Sequence, residues 1–192
     1  MLDNIKKSIA QSINVKEIIL KDKDILNTIE RVCQDAIEGY KNDKKILIAG
    51  NGGSAADAQH IAAELVARFY FDRPALGAMA LTTDSSILTA IGNDYGYDQL
   101  FSRQIEANGD EGDIFIAIST SGNSSNIIKA IESAKQKGLK IVGLTGAKEG
   151  KMDTLCDLII KAPSTDTPRI QEAHILIGHI LCQVIEEEMF GA

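Results

Sequence analysis

The sequence predicts an α/β fold in which one parallel sheet is covered by helices on both faces. Three observations lead there. Short apolar runs alternate with stretches of helical period along the whole chain, which is the pattern of successive strand–helix units. The run Ile46-Leu47-Ile48-Ala49, bounded by Lys45 and Gly50, has the continuous apolar character of a strand buried on both faces. A glycine-rich turn, Gly50-Asn51-Gly52-Gly53-Ser54, then leads into a helix, and such turns allow backbone to approach a ligand closely.

Taken in order, apolar positions at Ile5, Ile9 and Ile13, and again from Ile25 to Ile37, follow a helical period from Leu2 to about Tyr40. Lys21-Asp22-Lys23-Asp24 divides this stretch into two helices, and Gly39 with Asn42-Asp43 ends it. This arm either closes one face of the sheet or packs on a neighbouring subunit. After the strand at 46–49 comes a helix over Ala55–Arg68, a linker at Asp72-Arg73-Pro74 and a short strand over Ala78–Leu81. Asp84 or Ser85 caps a helix reaching Ile91. Gly92–Gly96 reads as a polar loop, and a further helix lies near Gln99–Ala107. Strands at Asp113–Ser119, Lys140–Leu144 and Leu158–Lys161 complete a set of five, with a helix at Ile127–Lys137 between the first two. A last helix, introduced by Pro168, runs from Ile170 to Met189. The 192 residues suit a single domain with a full core, 44% of them hydrophobic.

Net charge of −7 argues against a general nucleic-acid binder. No apolar segment is long enough to span a membrane, and the N-terminus carries no apolar signal run. Cys33, Cys156 and Cys182 are odd in number and scattered, which suits a reduced, cytoplasmic protein.

Two regions carry chemistry. Ser119-Thr120-Ser121-Gly122-Asn123-Ser124 follows a strand and opens a helix. Four hydroxyls within six residues, beside free N–H groups at a helix start, favour an anion site over a simple N-cap. Neither the P-loop lysine pattern nor Gly-x-Gly-x-x-Gly is present, which argues against nucleotide hydrolysis and dinucleotide binding. The second region is a set of metal-capable side chains. His60 and Glu64 stand one turn apart on one helix face. The last helix carries Gln171, His174 and His179. Two imidazoles and a carboxylate suit zinc, whereas a glutamine oxygen is an unusual ligand. Gln171 and His179 are about 12 Å apart in helical rise, so they reach one ion only by leaning together or through an irregular first turn. His174 points away from Gln171 and reads as structural.

These motifs, together with Arg169-Ile170-Gln171-Glu172-x-His174 and Gly92-Asn93-Asp94, resemble the sedoheptulose 7-phosphate isomerase (phosphoheptose isomerase) family of the sugar-isomerase (SIS) domain superfamily over nearly the whole chain. The resemblance implies a three-layer, flavodoxin-like α/β/α sandwich and a homotetramer with active sites at subunit interfaces. It implies that Asn51, Gly52, Gly53, Ser54, Glu64, Asn93, Asp94 and Gln171 meet the substrate, and that Ser119, Thr120, Ser121 and Ser124 hold its phosphate. It further implies one zinc ion per subunit on His60, Glu64, Gln171 and His179, with Glu64 and His179 as the acid–base pair. Arg68, one turn after Glu64, is either a partner of an anion in the same pocket or one half of a surface ion pair. The implied reaction converts D-sedoheptulose 7-phosphate into D-glycero-D-manno-heptose 7-phosphate for nucleotide-activated heptose of a bacterial surface polysaccharide. A SIS-domain phosphosugar sensor, or a regulator binding the replication initiator, is the alternative. Such a protein has no need of the His60, Glu64, Gln171 and His179 set.

Overall fold

The computed structural model describes residues 1–191. Strands β1 (Ile46–Gly50), β2 (Ala78–Ala80), β3 (Ile114–Ile118), β4 (Lys140–Thr145) and β5 (Leu158–Lys161) form one parallel sheet in the order β2-β1-β3-β4-β5. The chain leaves β1 for β2 on one side and crosses back to β3 on the other. The switch in strand order therefore falls between the carboxyl ends of β1 and β3, where Gly50 pairs with Ile118. Open α/β sheets bind ligands at this crevice.

Among the described residues, seven α-helices surround the sheet: α1 (Leu2–Lys21), α2 (Lys23–Lys41), α3 (Gly53–Val66), α4 (Ser85–Asp94), α5 (Ser102–Asn108), α6 (Ser125–Gln136) and α7 (Thr167–Phe190). The two-residue period of a strand sorts the core into halves. Ile46, Ile48, Ile114 and Ile116 pack with α2, α3 and α7. Leu47, Ala49, Phe115 and Ala117 pack with α5 and α6. The result is the expected three-layer α/β/α sandwich.

Helix α1 packs on its own domain through one face. Val15 and Ile19 are buried against Ile170 and Ala173 of α7, while Ile5, Ile9 and Ile13 face outward. Asp22 alone breaks α1 from α2, its carboxylate accepting from the N–H groups of Asp24 and Ile25. Several boundaries differ from expectation, three of them at glycine or proline positions. Helix α3 starts at Gly53, because Gly52 takes the left-handed turn (φ +58°) immediately before it. Helix α4 runs on through Gly92, Asn93 and Asp94, which are helical rather than part of a loop. A helical glycine costs only about 1 kcal/mol, and the chain instead turns at Gly96 (φ +89°). Helix α7 begins at Thr167, with Pro168 in its first turn, where no N–H is required.

Helices α3 and α7 approach closely because Gly178 has no side chain. A Cβ there would lie 2.6 Å from Ile61 Cδ1 in the core. Gly178→Ala should cost about 1–3 kcal/mol, read as a lower urea midpoint with an unchanged slope.

His174 is fully buried on α7, its Nε2–H donating to the Thr145 carbonyl at 3.0 Å. This agrees with its structural reading. Burial pushes its pKa down from 6.5 to about 4, against the pull of the Thr145 hydrogen bond. The unfolded chain thus takes up this proton near pH 6.5 and the folded chain only near pH 4. The stabilising contribution is complete above pH 6.5 and lost as pH falls towards 4. Thermal melts across that window should show a decline that is smaller in His174→Gln.

Candidate active site

The first wall of the crevice is the turn after β1. A Cβ on Gly50 would sit 2.5 Å from the Ser54 carbonyl oxygen, so this position requires glycine. Asn51 is held by a reciprocal amide pair with the buried Asn126 of α6, both hydrogen bonds at 2.8 Å. The Tyr97 hydroxyl donates to Asn51 Oδ1 at 3.0 Å. Ser54 lies beneath the turn and is buried. A cavity of about 360 Å³ opens beside this wall, lined in part by Asn51, Gly52, Thr82, Tyr97 and Phe101. Asn126 and Tyr97 were not singled out in the sequence, and neither sits in a motif that could have marked it.

The second wall is the hydroxyl loop after β3. Ser119 Oγ lies 3.0 Å from Ser124 Oγ and 3.4 Å from Ser121 Oγ, so three hydroxyls share one small volume. Gly122 (φ +65°) makes the turn that folds them together. Ser124 is the N-cap residue of α6, yet its side chain makes no capping hydrogen bond. Its hydroxyl is turned towards Ser119, and the first-turn N–H groups keep their capacity to bind an anion. The adjoining cavity of about 250 Å³ is lined by Thr120, Ser121, Asn123, Thr167 and Ile170, with the exposed Lys148 also contributing.

Where α3 and α7 run side by side, a third group forms. His60 Nε2 is 3.1 Å from Glu64 Oε1 and 3.3 Å from His179 Nε2. The two imidazoles meet edge to face, with centroids 4.9 Å apart, and the Phe69 ring lies 5.7 Å from that of His179. One ring nitrogen cannot satisfy an oxygen and a second nitrogen with a single proton, whereas a cation between them satisfies all three. Donors bound at about 2.0 Å around a tetrahedral ion stand roughly 3.3 Å apart, so both separations fit zinc. The three are paired through His60, and no group of three His, Cys, Asp or Glu among the described residues already surrounds a common point.

Gln171 stands apart from this group. Its amide lies against Gly53, whose absent Cβ would be 2.4 Å from Gln171 Nε2. Gly53 precedes His60 by about 10 Å of helical rise. Because α7 is regular from Thr167, no irregular first turn brings Gln171 towards His179. Asn93 donates to the Asp94 carboxylate at 2.7 Å, and neither hydrogen-bonds to another candidate among the described residues. Arg68 is exposed and joins no ion pair among the described residues. Arg73, read from sequence only as part of a linker, instead makes a buried ion pair with Glu186.

Sheet order, switch-point crevice and hydroxyl loop define the class as a SIS-domain protein, and the SIS domain family matches residues 10–146. Phosphoheptose isomerase of Aneurinibacillus thermoaerophilus is 68% identical over 99% of this chain and 96% of its own. Phosphoheptose isomerase 2 of Campylobacter jejuni is 63% identical over 97% of this chain and 93% of its own. The solved phosphoheptose isomerase of Neisseria gonorrhoeae superposes with a TM-score of 0.91 at 41% identity, covering 97% of this chain and 98% of that one. The chain belongs to the phosphoheptose isomerase family of SIS-domain proteins.

Proposed function

We propose that this isomerase converts D-sedoheptulose 7-phosphate into D-glycero-D-manno-heptose 7-phosphate, supplying heptose for a nucleotide-activated precursor of a bacterial surface polysaccharide. One observation carries the reading: a hydroxyl cradle and a carboxylate–imidazole cluster occur together in a chain 68% identical to a phosphoheptose isomerase.

Ser119, Thr120, Ser121 and Ser124, with the first-turn N–H groups of α6, hold the phosphate. Asn51, Gly52, Gly53, Ser54, Asn93, Asp94 and Gln171 address the sugar hydroxyls. Glu64 and His179 act as base and acid. One removes a proton from C1 of the ketose, giving an enediol, and a proton is returned to C2. His60, Glu64, Gln171 and His179 would hold zinc, one ion per subunit, which when bound supplies Lewis-acid polarisation of the sugar carbonyl.

A homotetramer with interface active sites is part of this reading. Its support is that Gln171, Asn93 and Asp94 lie apart from the histidine pair within one chain, and that α1 presents Ile5, Ile9 and Ile13 outward. The location assigned is the cytoplasm, supported by three cysteines that are all free. No helix among the described residues is long and apolar enough to cross a membrane.

The test is to incubate zinc-loaded protein with sedoheptulose 7-phosphate and follow aldose formation by NMR, beside a chelated sample. Aldose in the loaded sample alone is expected. Aldose in both would remove the metal's role. Binding of the phosphosugar without aldose would overturn the isomerase reading.

A further inference from the structure

Glu186 of α7 is fully buried, and the four groups hydrogen-bonded to it are all donors. Its Oε2 accepts from Phe69 N at 2.7 Å and Arg73 Nε at 3.0 Å, and its Oε1 accepts from Tyr70 N at 2.6 Å and Phe71 N at 3.2 Å. Burial alone would raise its pKa, but three backbone N–H groups and Arg73 outweigh this and lower it. Arg73 passes the constraint on. Its remaining nitrogens donate to the carbonyl oxygens of Glu64 at 2.9 Å and Leu65 at 2.7 Å, the last turn of α3. Phe69, fixed through its N–H, sets its ring against His179.

We propose that Glu186 is a positioning residue for the isomerisation. One buried carboxylate sets Glu64 through Arg73 and sets His179 through Phe69, fixing the relative placement of both proton-transfer groups. The assignment rests on the acid–base roles proposed above. Only an ionised carboxylate suits four donors. Glu186→Gln keeps the volume but must turn its NH₂ towards either Phe69 and Arg73 or Tyr70 and Phe71.

The test compares wild-type protein with Glu186→Gln, both labelled with ¹⁵N-histidine and matched in metal content. A small misplacement of catalytic groups should lower kcat about 10–100-fold while KM changes less than about threefold. The ¹⁵N shift of His179 Nε2, which reports the surroundings of that nitrogen beside His60, should move while that of His174 stays. A folded variant with wild-type kcat, or with an unmoved His179 signal, would overturn the proposal. Should Glu186→Gln fail to fold, Phe69→Leu removes the final contact and is judged by the same two readouts. Absence of aldose from the wild type would instead refute the isomerase reading, and the His179 signal would then decide the positioning role alone.

Discussion

Glu64→Gln should leave a folded protein that still binds sedoheptulose 7-phosphate, while turnover falls about 10²–10⁴-fold. The substitution keeps volume and helix propensity, and the side chain it changes is 27% exposed, so little packing is at stake. The contact that fixes the end of α3 is made by the Glu64 carbonyl, which the substitution retains. What disappears is a group able to accept a proton from carbon, since a neutral amide has no useful basicity. A carboxylate bound tightly to a metal also loses basicity, so Glu64 must be free to take the proton at that step. His179→Gln is the companion variant. If the two residues divide proton removal and return, both lose turnover, but in deuterated water only the variant that retains the base will exchange the C1 proton. Calorimetric titration with substrate, alongside NMR turnover, checks the separation of binding from chemistry. Near-normal kcat in Glu64→Gln would end its assignment as an acid–base group.

The parts of this molecule legible in the sequence are those whose signal is local. Each strand was a short apolar run, because both faces of a central parallel strand are buried, as all five residues of β1 and of β3 are. The hydroxyl loop was visible because its members lie within six residues. Boundaries were missed where glycine's meaning depends on surroundings: Gly92 looked like a stop yet lies inside α4, whereas Gly52 and Gly96 do turn. Contacts between distant residues were not legible. Asn51 and Asn126 are 75 positions apart, and Glu186 and Phe69 are 117. Glu186-Glu187-Glu188 has the sequence character of a solvated charge run, and only the packing of α7 shows that its first member is sealed in the core. The spacing of Gln171 and His179 left open whether they meet. The parallel course of α3 and α7 places the Gln171 amide beside Gly53 and His179 beside His60.

Replacing both Ser119 and Ser124 by alanine should raise KM for the phosphosugar roughly a hundredfold or more, with a smaller change in kcat. A hydrogen bond to a charged group contributes about 1.5–3 kcal/mol, and each 1.4 kcal/mol is about tenfold in affinity. These two hydroxyls lie 3.0 Å apart at the start of α6, so one phosphate oxygen can receive both. Phosphate stays in place from substrate to product, so its binding is uniform along the reaction and appears in KM rather than kcat. Stability separates this role from capping. A serine N-cap replaced by alanine ordinarily costs about 1 kcal/mol. Ser124 makes no side-chain capping bond, so Ser124→Ala alone should cost less than that in urea denaturation. Inhibition by inorganic phosphate should weaken in parallel with KM, since it probes the cradle without the sugar. A full capping loss in stability, with phosphate inhibition and KM unchanged, would mean that the loop serves only to start α6 and that the phosphate is held elsewhere.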